Sequence, residues 1–182
     1  MNKVEPIKSK DDMRKLSKSL SKNARNEMLF KFGCSTALRI RDILGLKVGD
    51  VRQKDYIELV EMKTKKQKKF KMNNYIKNEI VQYTKKMGDD EYLFQSREGS
   101  NKPITRQTAW NVLKKASNEA GITVNIGTHS LRKTYATALY EQTKDIALVQ
   151  MILNHSSPAI TIRYLGLNQQ TMDDVTAEFN PF

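Results

Sequence analysis

The chain has 182 residues, 38% of them hydrophobic and 29% charged, with 32 Lys and Arg against 20 Asp and Glu for a formal charge of +12. That length suits one ordinary domain with enough apolar side chains to close a core, and no apolar run nears the roughly 20 residues that a membrane-spanning helix requires. The single cysteine, Cys34, excludes an internal disulfide and a cysteine-based zinc site, and two histidines argue against a histidine-rich metal cluster.

The N-terminal stretch MNKVEPIKSKDDMRK lacks the apolar segment of a secretory signal, and a lone cysteine fits a reducing compartment, so a cytoplasmic protein is expected. Residues 1–8 read as an arm. Ser9, with Asp12 three positions later, caps a helix over 9–22 in which Met13, Leu16 and Leu20 recur at helical spacing. Residues 24–36 read as a second helix with Met28, Leu29, Phe30 and Phe32 on its apolar face, and 39–45 (RIRDILG) as a short third that stops near Gly45. Tyr56 to Met62 and Phe70 to Met72 then bracket the polar run KTKKQKK, which predicts a hairpin. Helices are expected over 74–87, over 105–120 between Thr105 and Gly121, from Thr128 to about Gln142, and over 145–153. Ser157-Pro158 places an N-cap before a first-turn proline, opening a helix that holds Tyr164 shortly before Gly166. A last amphipathic piece begins near Asn168, where Leu167, Met172, Val175 and Phe179 form an apolar stripe. That tail contains Asp173, Asp174 and Glu178 and no Lys or Arg, so residues 164–182 carry −3 and residues 1–163 the remaining +15. With no repeat and no Gly/Ser linker, the expectation is a single domain over 1–182, mainly α with one small antiparallel sheet (α+β).

A body this basic suits a polyanion, although lysines also coat solvated faces for solubility alone. Several residues stand out. Thr128-His129-Ser130-Leu131-Arg132-Lys133 opens a helix with cations, the wrong sign for the helix dipole unless a bound anion offsets it. His129 and Arg132 are three apart and share a face. Arg39 follows the apolar pair Ala37-Leu38, which suggests an inward position, with Asp42 placed to hold it through a charge-assisted hydrogen bond. Arg41 reads as part of a surface salt-bridged helix. The hairpin tip carries Lys63, Lys65, Lys66, Lys68, Lys69 and Lys71, most of which read as solvated. Taken alone, His155 would be a helix cap, Tyr164 a packing residue and Cys34 an inert core thiol.

In chain order these residues run Arg39, a hairpin lysine, His129-x-x-Arg132, His155 and Tyr164. TALRIRDILGLKVGDV (36–51), THSLRKTYATAL (128–139) and LNHSSPAITIRYLG (153–166) together resemble the three motif boxes of the tyrosine recombinase catalytic domain, the phage integrase family. The resemblance runs from about residue 5 to about residue 175, and both histidines of the chain fall on motif positions. It implies a helical catalytic domain that cuts and rejoins double-stranded DNA, with no cofactor and no metal. Tyr164 would be the nucleophile that forms a 3′-phosphotyrosyl bond. Arg39 and Arg132 would hold the non-bridging oxygens, and His129 and His155 would add hydrogen bonds, with His129 the proton acceptor. Lys63, followed by Thr64, best matches the lysine that protonates the leaving 5′-oxygen, with Lys65 next. Asp42 matches the acidic residue that supports the first arginine. Lys65, Lys66, Lys68 and Lys133 are expected to touch DNA, and the acidic tail (167–182) is expected to dock on another copy, giving dimers or tetramers on DNA. Ala37 and Asn154 stand where many members have Gly. The usual N-terminal core-binding domain has no counterpart in these residues, which predicts either a compact member or part of a longer protein. Two other activities fit the same residues: a type IB topoisomerase-like nicking and relaxing enzyme, and a DNA-binding module without catalysis.

Overall fold

Ser9 turns extended and its hydroxyl accepts from the Asp12 amide, so helix α1 (Lys10–Leu20) starts with one orphan donor met and with Asp11 and Asp12 in its first turn. The computed structural model describes residues 4–168, 173 and 176–180. Asn23 caps α2 (Ala24–Ser35) in the same way, and α2 turns Met28, Leu29, Phe30 and Phe32 inward. Helix α3 (Ile40–Leu44) has only five residues, with Arg39 as its extended N-cap. Strands β1 (Tyr56–Val60) and β2 (Gln67–Lys71) pair antiparallel, with Tyr56 opposite Lys71 and Val60 opposite Gln67. Then come α4 (Asn74–Tyr83), α5 (Arg106–Glu119), α6 (Thr128–Thr143), α7 (Ile146–Leu153) and α8 (Pro158–Leu165). Among the described residues the chain is thus mainly helical with one two-stranded sheet, as the sequence predicts.

Two sequence expectations shift here. β2 starts at Gln67 rather than Phe70, because its side chains already alternate from there, with Lys68 and Phe70 inward. α4 ends at Tyr83 rather than near residue 87. The Arg52 guanidinium donates to the carbonyls of Thr84 and Met87 just past the helix end, and the Gly88 amide donates to Glu91 Oε2 instead of continuing the helix on the Thr84 carbonyl.

Contacts divide the chain into two compact units, Met1–Tyr135 and Ala136–Phe182, with the division inside α6. In the first unit one core cluster gathers Ile7 from the N-terminal arm, Leu16 and Leu20 from α1, Phe30 from α2, Leu113 and Ala116 from α5, Ile126, and Leu131 from α6. Each large side chain buried this way contributes about 1.5–3 kcal/mol. Cys34 packs against the cluster and burial pushes its thiol pKa up, as befits an inert core residue.

Gly33 on α2 lets Leu131 of α6 pack directly against the helix backbone. A Cβ there would lie 2.5 Å from Leu131 Cδ1 and 3.0 Å from Leu131 Cβ. Gly33→Ala should gain about 0.5–1 kcal/mol in helix propensity but lose about 1–3 kcal/mol to overpacking. A lowered thermal midpoint is the expected result. A raised midpoint would show that Leu131 yields freely.

In the second unit α7 and α8 pack on each other. Asn154 ends α7 at φ +56 and Gly166 ends α8 at φ +80, both left-handed. Asn tolerates that region better than other side chains bearing a Cβ, which explains how it stands where a glycine is common. Asp145 caps α7 and Pro158 occupies the first turn of α8, as expected. Of the tail stripe, Met172 and Val175 lie outside the described residues, Leu167 is half-buried, and Phe179 is 70% exposed.

Candidate active site

The hairpin stands against α3 through two carboxylates. β1 turns Ile57 and Leu59 inward, and the next residue in phase is Glu61, whose side chain is wholly buried. A buried carboxylate needs cationic or hydrogen-bonding partners. Glu61 Oε1 lies 2.5 Å from Arg39 Nη1 and 3.9 Å from Lys68 Nζ, and Oε2 accepts from the Thr64 hydroxyl. Burial alone would raise the Glu61 pKa, but the bonds from Arg39 and Thr64 outweigh it and hold the carboxyl below its ordinary value.

Asp42 does not hold Arg39, contrary to expectation. Its Oδ1 accepts from the Met62 amide at 2.9 Å, and Glu61 takes the guanidinium. The spacing of three puts side chains on one face only when both residues are helical. Arg39 is an N-cap with ψ 148, so its side chain leaves the backbone in another direction.

Two lysines expected on DNA are also placed elsewhere. Lys68 lies on the inward face of β2, with Nζ 3.4 Å from the Ala37 carbonyl oxygen. Burial, and then the charge of Arg132, bring its pKa down to about 8. Lys133 is 9% exposed and donates to the Val4 carbonyl at 3.0 Å, so it fastens the N-terminal arm to α6. Lys63, Lys65 and Lys66 do stand exposed around the turn.

Arg39, Lys63 and His129 come together. With Ile40, Arg41, Asp42 and Arg106 they line an open cavity of about 340 Å³. Four full cations therefore face one carboxylate, Asp42, already hydrogen-bonded to a backbone amide. Arg132, 4% exposed on α6, adds its charge close by. Burial, then the charges of Arg132, Arg106, Lys63 and Lys133, keep the His129 pKa below its ordinary 6.5, so the ring is largely neutral at pH 7. A neutral imidazole among fixed cations can accept a proton while the cations hold an anion. Two residues escaped sequence reasoning. Arg106 opens α5 with a cation where the dipole favours anions, the same signal read at 128–133. For Glu61 the unread signal is a carboxylate in phase with Ile57 and Leu59.

The second unit brings His155 and Tyr164 together. Their rings meet edge to face, with centroids 5.2 Å apart at 76°. His155 Nδ1 lies 3.0 Å from Thr161 Oγ1, and the Gln150 amide donates to the His155 carbonyl at 3.2 Å, which fixes the loop between α7 and α8. Among the described residues, no three His, Cys, Asp or Glu side chains gather as metal ligands would, and no helix is long and apolar enough to cross a membrane.

Known proteins resemble this chain in sequence and in fold. The model of the phage integrase family matches residues 9–171. A probable integrase/recombinase of Bacillus subtilis, YoeC, is 46% identical over 172 residues, covering 94% of both chains. The tyrosine recombinase XerD of Corynebacterium glutamicum is 29% identical over 163 residues, and the match spans 53% of its length. The fold matches the crystal structure of XerA recombinase with a TM-score of 0.78 at 24% identity, covering 99% of this chain and 67% of that one.

Proposed function

As this chain belongs to the phage integrase family, we propose that it is a site-specific DNA recombinase that cuts and rejoins duplex DNA through a 3′-phosphotyrosyl intermediate. The cationic cavity carries the reading. A hollow lined by Arg39, Arg41, Lys63 and Arg106 beside a neutral His129 is built for a phosphodiester. Guanidinium forks stay charged and bind phosphate oxygens bidentately, and preorganised cations meet charge that builds on those oxygens at the transition state. Tyr164 attacks phosphorus, breaks the bond to the 5′-oxygen and becomes esterified. His129 takes the phenolic proton, and Lys63 gives one to the departing 5′-oxygen. Arg39 and Arg132 hold the non-bridging oxygens, and His155 bonds to one of them. Religation is the reverse, with a 5′-hydroxyl as nucleophile, and the phosphotyrosyl bond conserves the energy of the broken link.

The test is a duplex nicked so that cleavage releases a short fragment and traps the intermediate, followed by a denaturing gel. A covalent adduct should form, and should form equally in EDTA, because side chains supply every group in the scheme. No adduct across many candidate sites would favour a DNA-binding module instead.

The exposed Lys65 and Lys66 engage the DNA backbone around the site. The acidic tail docks on a second copy of the chain, where its lack of any Lys or Arg suits protein better than DNA. Deleting residues 168–182 should weaken cooperative assembly on paired sites in a mobility-shift assay and leave single-duplex affinity within about twofold, a change of under ~0.5 kcal/mol. Equal assembly by the shortened chain would make the tail a local cap.

A further inference from the structure

We propose that Glu61 is a positioning residue of this site, a buried carboxylate that fixes the Arg39 guanidinium with one oxygen and the turn carrying Lys63 with the other. The inference rests on the strand-exchange reading above and adds a residue outside the motif set.

Three observations converge. Glu61 continues the inward row of Ile57 and Leu59, where an apolar side chain would pack at no desolvation cost. Its two oxygens go to different elements: Oε1 to Arg39 at the start of α3, and Oε2 to Thr64, the residue after Lys63. Its backbone closes the same turn twice, through Glu61 N–H to the Lys66 carbonyl and Lys65 N–H to the Glu61 carbonyl, each at 2.9 Å. Lys63 is thus held between two residues joined by one carboxylate. Asp42, accepting from the Met62 amide, adds a second tie between α3 and the turn. Arg39 and Lys63 line one cavity, so their separation decides whether both reach the same phosphate. A guanidinium has five donors in a fixed fork. Pairing one nitrogen with Glu61 leaves the others to be aimed at a phosphate.

The charge of Glu61 gives the role a signature. It lies behind Arg39 and opposes anion binding, so removing it should leave duplex affinity intact or improved while misplacing the cations at the transition state. A loss of folding would lower affinity and rate together. The experiment compares the wild type, Glu61→Gln, Thr64→Val and the double variant in single-turnover cleavage of the nicked duplex, affinity for an uncut duplex, and thermal midpoint. Glu61→Gln should cleave about 10–100-fold more slowly, the cost of a misplacement on the order of 1 Å, with duplex affinity unchanged or tighter. Thr64→Val should slow cleavage less, and the double variant should lose less than the product of the two. Cleavage by Glu61→Gln within twofold of the wild type overturns the proposal, as does a loss of rate that only follows a loss of affinity and midpoint. Should Glu61→Gln fail to fold, Thr64→Val decides by the same criteria. A wild type that forms no adduct sinks strand exchange itself. Amide exchange over Met62–Lys66 then decides for Glu61: faster exchange in Thr64→Val at an unchanged midpoint supports the tie, and unchanged exchange overturns it.

Discussion

Tyr164→Phe should abolish the covalent adduct, a loss of more than about 10⁴-fold, the scale seen when a catalytic nucleophile is deleted, with duplex affinity kept within about twofold. The substitution removes one oxygen and keeps the ring, so the edge-to-face contact with His155 survives and α8 keeps its packing. Losing one hydroxyl costs about 1 kcal/mol of stability or less, which a melting curve will show as a small shift. Affinity should hold because binding depends on the cations of the cavity and turn. An adduct that persists in Tyr164→Phe would place the nucleophile elsewhere. Tyr135 is a poor substitute: it packs edge to face on Phe70, and burial pushes its pKa above the ordinary phenol value. Tyr140 lies on α6 with the Lys144 ammonium 5.6 Å from its ring centroid. Double variants with either would settle the assignment.

The helices were legible because their ends are chemical. Ser9, Asn73, Thr105 and Asp145 all accept from the backbone three residues on, and a left-handed Gly166 stops α8. The hairpin was legible as an element but not in its phase. A lysine-rich run reads as a loop by composition, yet pairing with β1 makes Gln67 a strand residue and sends Lys68 inward, opposite Leu59. The positions of Arg39, Lys63 and His129 around one cavity followed from the motif order. Their supports did not. Glu61 takes the place beside Arg39 that spacing suggests for Asp42, because a five-residue helix leaves Arg39 at its cap, pointing to the hairpin rather than along the helix. Lys133 was read as a phosphate ligand from its place in a helix start. A neighbouring carbonyl from a segment 129 residues away in sequence took it instead, and such long-range partners leave no local trace.

Arg132→Ala should reduce single-turnover cleavage by about 10²–10³-fold, the usual cost of one preorganised donor to transition-state charge, and should also change the pH dependence. Arg132 is nearly buried on α6, beside His129 and near Lys68. After burial itself, it is the largest influence holding down the pKa of each. Its removal should raise both. The sign for His129 follows directly. With the ring as proton acceptor, as proposed above, cleavage needs the neutral form and should fall as pH drops through its pKa. In the wild type that acid limb should lie below the ordinary 6.5 of histidine; in Arg132→Ala it should move up toward 6.5. For Lys68, a raised pKa keeps the ammonium charged further into the alkaline range, which leaves the Glu61–Lys68 contact intact above pH 8 in the variant. Replacing Arg132 by Lys should restore part of the depression of His129, because the charge returns. It should restore little of the rate, because an ammonium lacks the planar fork that grips two phosphate oxygens. Rate–pH profiles of the three proteins on one nicked duplex separate the two effects. A variant that loses rate with no movement of the acid limb would show that His129 is not the proton acceptor, and would leave Arg132 with the phosphate alone.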